Sequence, residues 1–307
     1  MYLKSLEINN FRGIEHLLLN FDSKINVIIG PNSVCKTAVI DALRLFFQLG
    51  DYESESRLIV REEDFHRKPV KDENDKVIAY ERLEPIDLVY VFEGLIGSQL
   101  GAYKDYEFVD VDGVMRCRVH LTFSLKNGKV MSLISAGSKN AETRPDPNTF
   151  SLFRHYYLEP LRDCTRRLLS TKDNLLGKVI SRKIKNAKTE STYKQIIADA
   201  NDELLKQQEV VDTNIGINDN LKNIFKDGEN VIALKIEQDK VDYIVNVIKP
   251  YLPKEKSEDF DGFKLWQNSL GYNNLIYIAT VLSDIRDCHK DDPDAIFALL
   301  IEEPEAH

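Results

Sequence analysis

The stretch Ile25–Asp41, INVIIGPNSVCKTAVID, restricts the possible folds of this chain more than any other. An apolar run ends at Gly30, a short polar loop follows, and a helix is expected to open at Lys36–Thr37. That order is the strand, loop and helix of a phosphate-binding P-loop, in which loop N–H groups and the positive end of the helix dipole face the phosphates. In such a loop Lys36 reaches the β- and γ-phosphates and Thr37 holds Mg²⁺. The pattern G-x-x-x-x-G-K-[ST] fits at Gly30, Lys36 and Thr37, but Cys35 stands where the second glycine belongs. A chance turn between a buried strand and an amphipathic helix would read similarly.

The far end of the chain weighs against chance. Residues 295–307, AIFALLIEEPEAH, read as a buried strand that delivers two adjacent carboxylates, Glu302 and Glu303. An apolar strand carrying acids to a P-loop is what Mg²⁺-assisted nucleotide hydrolysis needs, with Glu302 on the metal side and Glu303 polarising the attacking water. A solvated acidic turn is the simpler reading of EEPE alone. The uninterrupted apolar run before it argues against that reading.

With 307 residues, 43% hydrophobic and 30% charged, the chain can bury a substantial core as one or two domains. No apolar run approaches the roughly 20 residues that span a bilayer, and the start, MYLKSLEINNFRG, has no signal-peptide pattern. A cytoplasmic protein with no membrane partner is therefore expected. Cys35, Cys117, Cys164 and Cys288 are scattered without a C-x-x-C pair, which argues for free thiols and against a zinc site. The net charge of −9 argues against a surface that binds nucleic acid everywhere. Its distribution is uneven: residues 151–195 carry eleven Lys/Arg against four acids. Such a segment is either a footprint for a phosphate backbone or the solvated face of a long helix.

In order along the chain, Tyr2–Ile8 alternates like a strand, Asn9–Gly13 reads as a turn, and Leu17–Phe21 and Ile25–Ile29 read as two further strands. The helix from Lys36 to about Leu49 puts Ala38, Ala42, Leu45, Phe46 and Leu49 along one side. A polar stretch and a Lys/Asp-rich loop are expected up to about Glu84, with His66 an isolated surface or structural histidine. Strands are expected at Ile86–Glu93, Cys117–Leu125 and Val130–Ile134, the last two joined by an Asn127–Gly128 hairpin. Residues 136–147 read as a linker, residues 155–158 as a short strand and residues 164–225 as an exposed helical region. Val231–Ile236 is expected to be a strand, and Val241–Ile248 either helix or strand. The polar loop Asn268–Asn274 is expected to open into a helix whose first N–H groups could meet an anion. An ordinary capped helix would look the same.

Taken together, LKSLEINNFRGIEHLLLNF, GPNSVCKT and LLIEEPEAH resemble the ABC-type ATPase heads of the SMC/RecF group. More narrowly, VREEDFH, YLEPLRD and LGYNNLIYIA resemble the N-terminal ATPase domain of OLD-family (overcoming lysogenization defect) nucleases. The resemblance implies an α/β fold, an ABC/SMC-type P-loop head with a mixed sheet, an antiparallel β section and a helical dimerisation insertion. It implies a head formed by residues 1–158 and 231–307, an insertion at residues 159–230 for dimerisation or DNA contact, and a metal-dependent Toprim nuclease domain after residue 307. The implied nucleotide site uses Arg12, Gly30, Asn32, Cys35, Lys36 and Thr37, with ATP and Mg²⁺ as cofactors. Glu302 and Glu303 become the Walker B pair, and Ser269, Gly271 and Tyr272 become a degenerate signature loop that reaches a partner's γ-phosphate. Arg162 falls in the same region without an assigned role. Implied partners are DNA, further copies of the chain as a dimer or tetramer, and a companion defence protein.

Cys35 departs from that pattern, because a Cβ restricts both the torsions of the loop and its approach to phosphate. Four functions follow from these readings. They are an ATPase head gating a DNA nuclease in defence against phage, a RecF- or SMC-like repair ATPase, a degenerate nucleotide sensor or dimerisation scaffold, and, most remotely, a transporter ATPase.

Overall fold

A computed structural model describes residues 1–32, 34–50, 57–138, 142–158, 168–170, 174–224, 231–235, 241–253 and 262–302. Its contacts divide the chain into one unit of residues 1–161 with 285–306 and another of residues 162–284.

The first unit is built on an antiparallel meander. Strands β1 (Tyr2–Phe11) and β2 (Ile14–Asn20) form a hairpin, and β1 pairs on its other side with β5 (Ile86–Glu93). Strand β5 pairs with β7 (Met115–Lys126), whose far edge takes β6 (Glu107–Val109) near its start and β8 (Lys129–Ala136) beyond. Helix α1 (Lys36–Phe47) lies against this sheet. Leu6, Ile8, Leu88, Tyr90, Phe92, Val119 and Leu121 meet Ala38, Ala42, Leu45 and Phe46 in one continuous core. Phe46 is the centre of that contact, with its ring 4.7 Å from Tyr90, 5.0 Å from Phe92 and 4.7 Å from Phe153. The Tyr90 hydroxyl donates to the Ala42 carbonyl at 2.5 Å, so the polar tip it carries into this core is satisfied.

The parallel component is a pair, β9 (Phe153–Leu158) beside β12 (Ile296–Ile301), in register from Phe153–Ile296 to Leu158–Ile301. The fold class is therefore α/β, with antiparallel and parallel pairing both present. The Asn127–Gly128 turn has φ of 53° and 73°, the left-handed pair that a two-residue hairpin turn requires.

Several expected elements differ. Residues 25–29 form no strand: Ile25, Val27 and Ile29 are 86%, 73% and 89% exposed, and among the described residues no strand pairs with them. A strand exists only through its paired backbone, and here the segment begins in a local turn instead. Asp22 N–H donates to Asn26 Oδ1 at 2.7 Å, and Asn26 Nδ2 donates to the Asp22 carbonyl at 2.9 Å. The expected Lys/Asp-rich loop is a hairpin, β3 (Arg67–Lys71) with β4 (Val77–Arg82). Its turn, Asp72–Lys76, is closed by Asp72 Oδ1 accepting from the N–H groups of Asn74 and Lys76. Residues 231–235 are likewise not a strand. Asn218 captures the Ile232 backbone on both sides, accepting from its N–H at 2.8 Å and donating to its carbonyl at 2.9 Å, and so removes the groups a ladder would use.

The second unit is mainly helical: α3 (Leu175–Ala187), α4 (Glu190–Leu205), α5 (Gln208–Ile224) and the short α6 (Val241–Val245), following the four-residue α2 (Gln99–Ala102) of the first unit. The ambiguous segment after residue 241 is thus helix. A small antiparallel pair, β10 (Tyr251–Pro253) with β11 (Gly262–Lys264), precedes α7 (Leu270–Asp291). Among the described residues no helix is long and apolar enough to cross a membrane.

Candidate nucleotide site

Helix α1 carries the loop that the sequence singles out. Cys35 is its N-cap with φ 65° and ψ 22°, in the left-handed region, and its side chain makes no capping hydrogen bond. The first N–H groups of α1 therefore take no cap from the Cys35 side chain, the state in which a helix start can meet an anion. Gly30 cannot be replaced without movement, since a Cβ there would lie 2.8 Å from Val34 Cγ2. The Lys36 ammonium donates to the Gly30 carbonyl at 2.6 Å, closing the loop on itself. Asn32 and Thr37 are exposed, and Lys36 is half-buried.

The turn between β1 and β2 packs on this loop. A Cβ on Gly13 would overlap Cys35 Sγ, so the close approach of the two segments depends on that glycine. Arg12, itself at φ 51°, points its guanidinium between two carboxylates. Its Nη1 donates to Asp41 Oδ2 at 2.5 Å and its Nε to Asp64 Oδ1 at 2.8 Å. Partial burial works against the charge of Arg12, but its hydrogen bonds to Asp64 and then Asp41 outweigh that and hold its pKa above the usual arginine value. Asp41 and Asp64 are 5% and 9% exposed, so the carboxylate side of both pairs is buried while Arg12 keeps part of its surface in water. His66 also belongs to this turn, its Nδ1 lying 2.7 Å from the Arg12 carbonyl.

Glu302 follows directly on β12 and is buried, 7% exposed. Its N–H donates to the Leu158 carbonyl at 3.1 Å, extending the parallel register by one residue. Its Oε2 accepts from the Tyr157 hydroxyl at 2.5 Å. Burial and then the neighbouring Glu302 carboxylate push the Tyr157 phenol well above its ordinary pKa, so at neutral pH it is a donor. The Tyr157 ring carries the Arg44 guanidinium on its face, 3.8 Å from the centroid, and Arg44 Nη1 donates to Asp41 Oδ1 at 2.7 Å. Glu302 is thus joined, through Tyr157, Arg44 and Asp41, to Arg12 and to the helix that begins at Lys36.

A hydroxyl at Thr37 and a buried carboxylate at Glu302 are oxygen donors of the kind Mg²⁺ takes, and both belong to the first unit. Glu303 and Arg162 lie outside the described residues. Ser269, Gly271 and Tyr272 belong to the second unit. The expected Asn268–Asn274 loop is helical from Leu270, because Ser269 caps α7 by accepting from Tyr272 N–H at 3.3 Å. Gly271 therefore sits inside the first turn of α7, and Tyr272 is half exposed.

Asp41, Arg44, Asp64 and Tyr157 did not stand out as site residues in the sequence. Asp41 had a usable signal: it is a lone carboxylate among the buried Ala38, Val39, Ala42 and Leu45 of one helix, and a buried acid needs a partner.

Curated relatives match short stretches of this chain. The DNA replication and repair protein RecF of Lactobacillus johnsonii is 44% identical over 43 residues, 14% of this chain and 12% of that protein. RecF of Clostridium novyi is 32% identical over 116 residues, 37% of this chain and 31% of that protein. The chain thus spans well under half the length of these relatives. Among solved structures, the recombination mediator protein RecF bound to ATP aligns over 98% of this chain and 86% of that one, with 13% identity and a TM-score of 0.42. A structure from work on ATP-driven dimerisation of SMC ATPases covers 50% of this chain and 77% of that one, with 13% identity and a TM-score of 0.29. The fold described above rests on its own strand order and not on those two scores. Residues 1–144, which contain the P-loop stretch, Arg12, Asp41 and Asp64, match the family model described as an AAA ATPase domain.

Proposed function

We propose that this chain is an ATP-binding and ATP-hydrolysing head that couples its nucleotide state to work on DNA. The observation that supports it most is the buried Glu302, linked through Tyr157, Arg44 and Asp41 to the helix that starts at Lys36. A strand-end carboxylate held against a P-loop helix is the arrangement that metal-assisted phosphoryl transfer uses. In this reading the uncapped N–H groups of α1 and the Lys36 ammonium bind phosphate once Lys36 leaves the Gly30 carbonyl. Thr37 and Glu302 hold Mg²⁺, which on binding supplies charge neutralisation at the phosphates. Glu303 orients the attacking water. Ser269, Gly271 and Tyr272 serve the nucleotide of a second copy.

The finer reading places this head in an OLD-family nuclease with a downstream Toprim domain, acting in defence against phage, and it rests on VREEDFH, YLEPLRD and LGYNNLIYIA. The similarity to RecF favours a second reading, a repair-type ATPase that holds DNA without cutting it. In both readings the head dimerises, and residues 159–230 serve as the dimerisation or DNA-contacting insertion. A population shift between two head arrangements, driven by their differential affinity for ATP, then transmits the signal.

Turnover of MgATP by the purified chain and by Lys36→Ala tests the shared part. Loss of turnover in Lys36→Ala of at least about a hundredfold is expected. Equal turnover in the two proteins, or none in the wild type and none in Cys35→Gly, would leave only the scaffold reading.

A further inference from the structure

Arg12, Asp41, Arg44, Tyr157 and Glu302 form one continuous chain of contacts. Oε2 of Glu302 accepts from the Tyr157 hydroxyl at 2.5 Å, and among the described residues no group donates to Oε1. The ring of Tyr157 is fixed from behind by the Arg44 guanidinium at 3.8 Å. Arg44 is held by Oδ1 of Asp41 at 2.7 Å, while Oδ2 of the same carboxylate holds Arg12 at 2.5 Å. Asp41 therefore uses both oxygens to bridge two arginines, Arg44 three residues on in α1 and Arg12 from the turn after β1, with its side chain almost out of water. Arg12 is in turn tied to Asp64, whose Oδ2 accepts from the Arg61 N–H at 2.8 Å.

These contacts have a directional consequence. A buried carboxylate with one oxygen tied to a neutral donor presents its other oxygen in a fixed direction. The phenol suits that task because it donates without neutralising the carboxylate, where an arginine or lysine in its place would compete with a cation for the charge. The planar stack on Arg44 sets the ring, and Asp41 sets Arg44 from one turn beyond the P-loop lysine.

We propose that Tyr157 is a positioning residue, backed by Arg44 and Asp41, that aims the free oxygen of Glu302 at the magnesium ion of a bound nucleotide. The proposal deepens the nucleotide-hydrolysis reading and rests on it. Tyr157 touches neither nucleotide nor metal; it acts through Glu302.

Tyr157→Phe keeps the ring and its stack on Arg44 and removes only the donor. For this variant kcat for MgATP is expected to fall on the order of tenfold while KM stays within about twofold. A second readout does not depend on turnover. Binding of the non-hydrolysable analogue AMP-PNP is measured with and without Mg²⁺. Metal-free binding is expected to match the wild type, and the Mg²⁺ concentration for half-maximal enhancement is expected to rise several-fold, because Glu302 loses the hydroxyl that orients its carboxylate. Arg44→Lys, which keeps Tyr157 and Glu302 and the charge facing Asp41 but loses the planar stack, is expected to move both quantities in the same direction by less. Wild-type kcat and wild-type Mg²⁺ dependence in Tyr157→Phe would overturn the proposal. So would equal loss of metal-free and metal-dependent binding, which marks a residue that only supports the fold. A wild type and a Cys35→Gly protein that both fail to bind AMP-PNP would overturn the nucleotide reading itself, and that failure is read with Tyr157 intact.

Discussion

Cys35 concentrates the conflict between sequence and backbone at the residue scale. A left-handed conformation at a residue with a Cβ costs roughly 1–2 kcal/mol, and Cys35 occupies it at φ 65° at the start of α1. The cost is tolerated because the side chain packs against the Gly13 turn, where no other residue than glycine leaves room for the sulfur. Two substitutions separate torsion from packing. Cys35→Gly is expected to change unfolding free energy by less than about 1 kcal/mol, since relief of the torsion is offset by a more flexible unfolded chain. Cys35→Val, with a branched Cβ in the same conformation, is expected to destabilise by about 1–3 kcal/mol. Urea denaturation of the two variants beside the wild type measures the difference, and a stable Cys35→Val would contradict the strained torsion.

At the scale of elements, the outer face of the antiparallel sheet carries a polar cluster that ties strands together. His120 on β7 lies between two carboxylates, with Nε2 3.1 Å from Asp87 on β5 and Nδ1 3.3 Å from Glu142. Glu142 also accepts from Ser135 on β8 at 2.7 Å and pairs with the buried Arg118. The hydrogen bond to Asp87 leads the causes that raise the His120 pKa above its ordinary value; partial burial opposes it, and Glu142 adds to it. A histidine whose folded pKa is raised stabilises the fold fully below its unfolded pKa, and that contribution is lost as pH rises through the folded value. Melting temperature is therefore expected to fall as pH is raised from about 6 through the raised His120 pKa. The slope is expected to flatten in His120→Gln. An unchanged slope in that variant would assign the pH dependence to another group.

At the scale of the whole molecule, charge is partitioned along the chain. The net charge is −9, yet α3 exposes Lys178, Lys183 and Lys185, and Lys188 follows at its C-cap. Arg182, from the same basic run, pairs with the buried Asp284. The proposed DNA footprint is tested on the exposed lysines. Replacing Lys183, Lys185 and Lys188 with Glu is expected to weaken duplex DNA binding and to lower the slope of log affinity against log salt by roughly 3, near one unit per lost phosphate contact. Fluorescence anisotropy over a salt series measures it, and an unchanged slope would return α3 to a solvated or subunit-facing role. Arg182→Glu is expected to act through stability instead, because it leaves Asp284 buried beside a second carboxylate.

Local pattern by itself determined much of this protein. The strands at residues 2–8, 86–93, 117–125 and 130–134, the Asn127–Gly128 turn, the helix from Lys36 and the strand leading to Glu302 were all legible, because each is specified by period, turn chemistry or an unbroken apolar run over a few neighbouring residues. Long-range pairing decided the rest. Ile25–Ile29 has the composition of a strand, but a strand needs a neighbour, and no pattern within five residues can supply one. The partnership of Asp41 with Arg12 and Arg44, and of Tyr157 with Glu302 across 145 positions of sequence, was equally out of reach. Buried polar groups are satisfied by whichever partner the fold brings to them, so their assignments appear only once distant elements are packed.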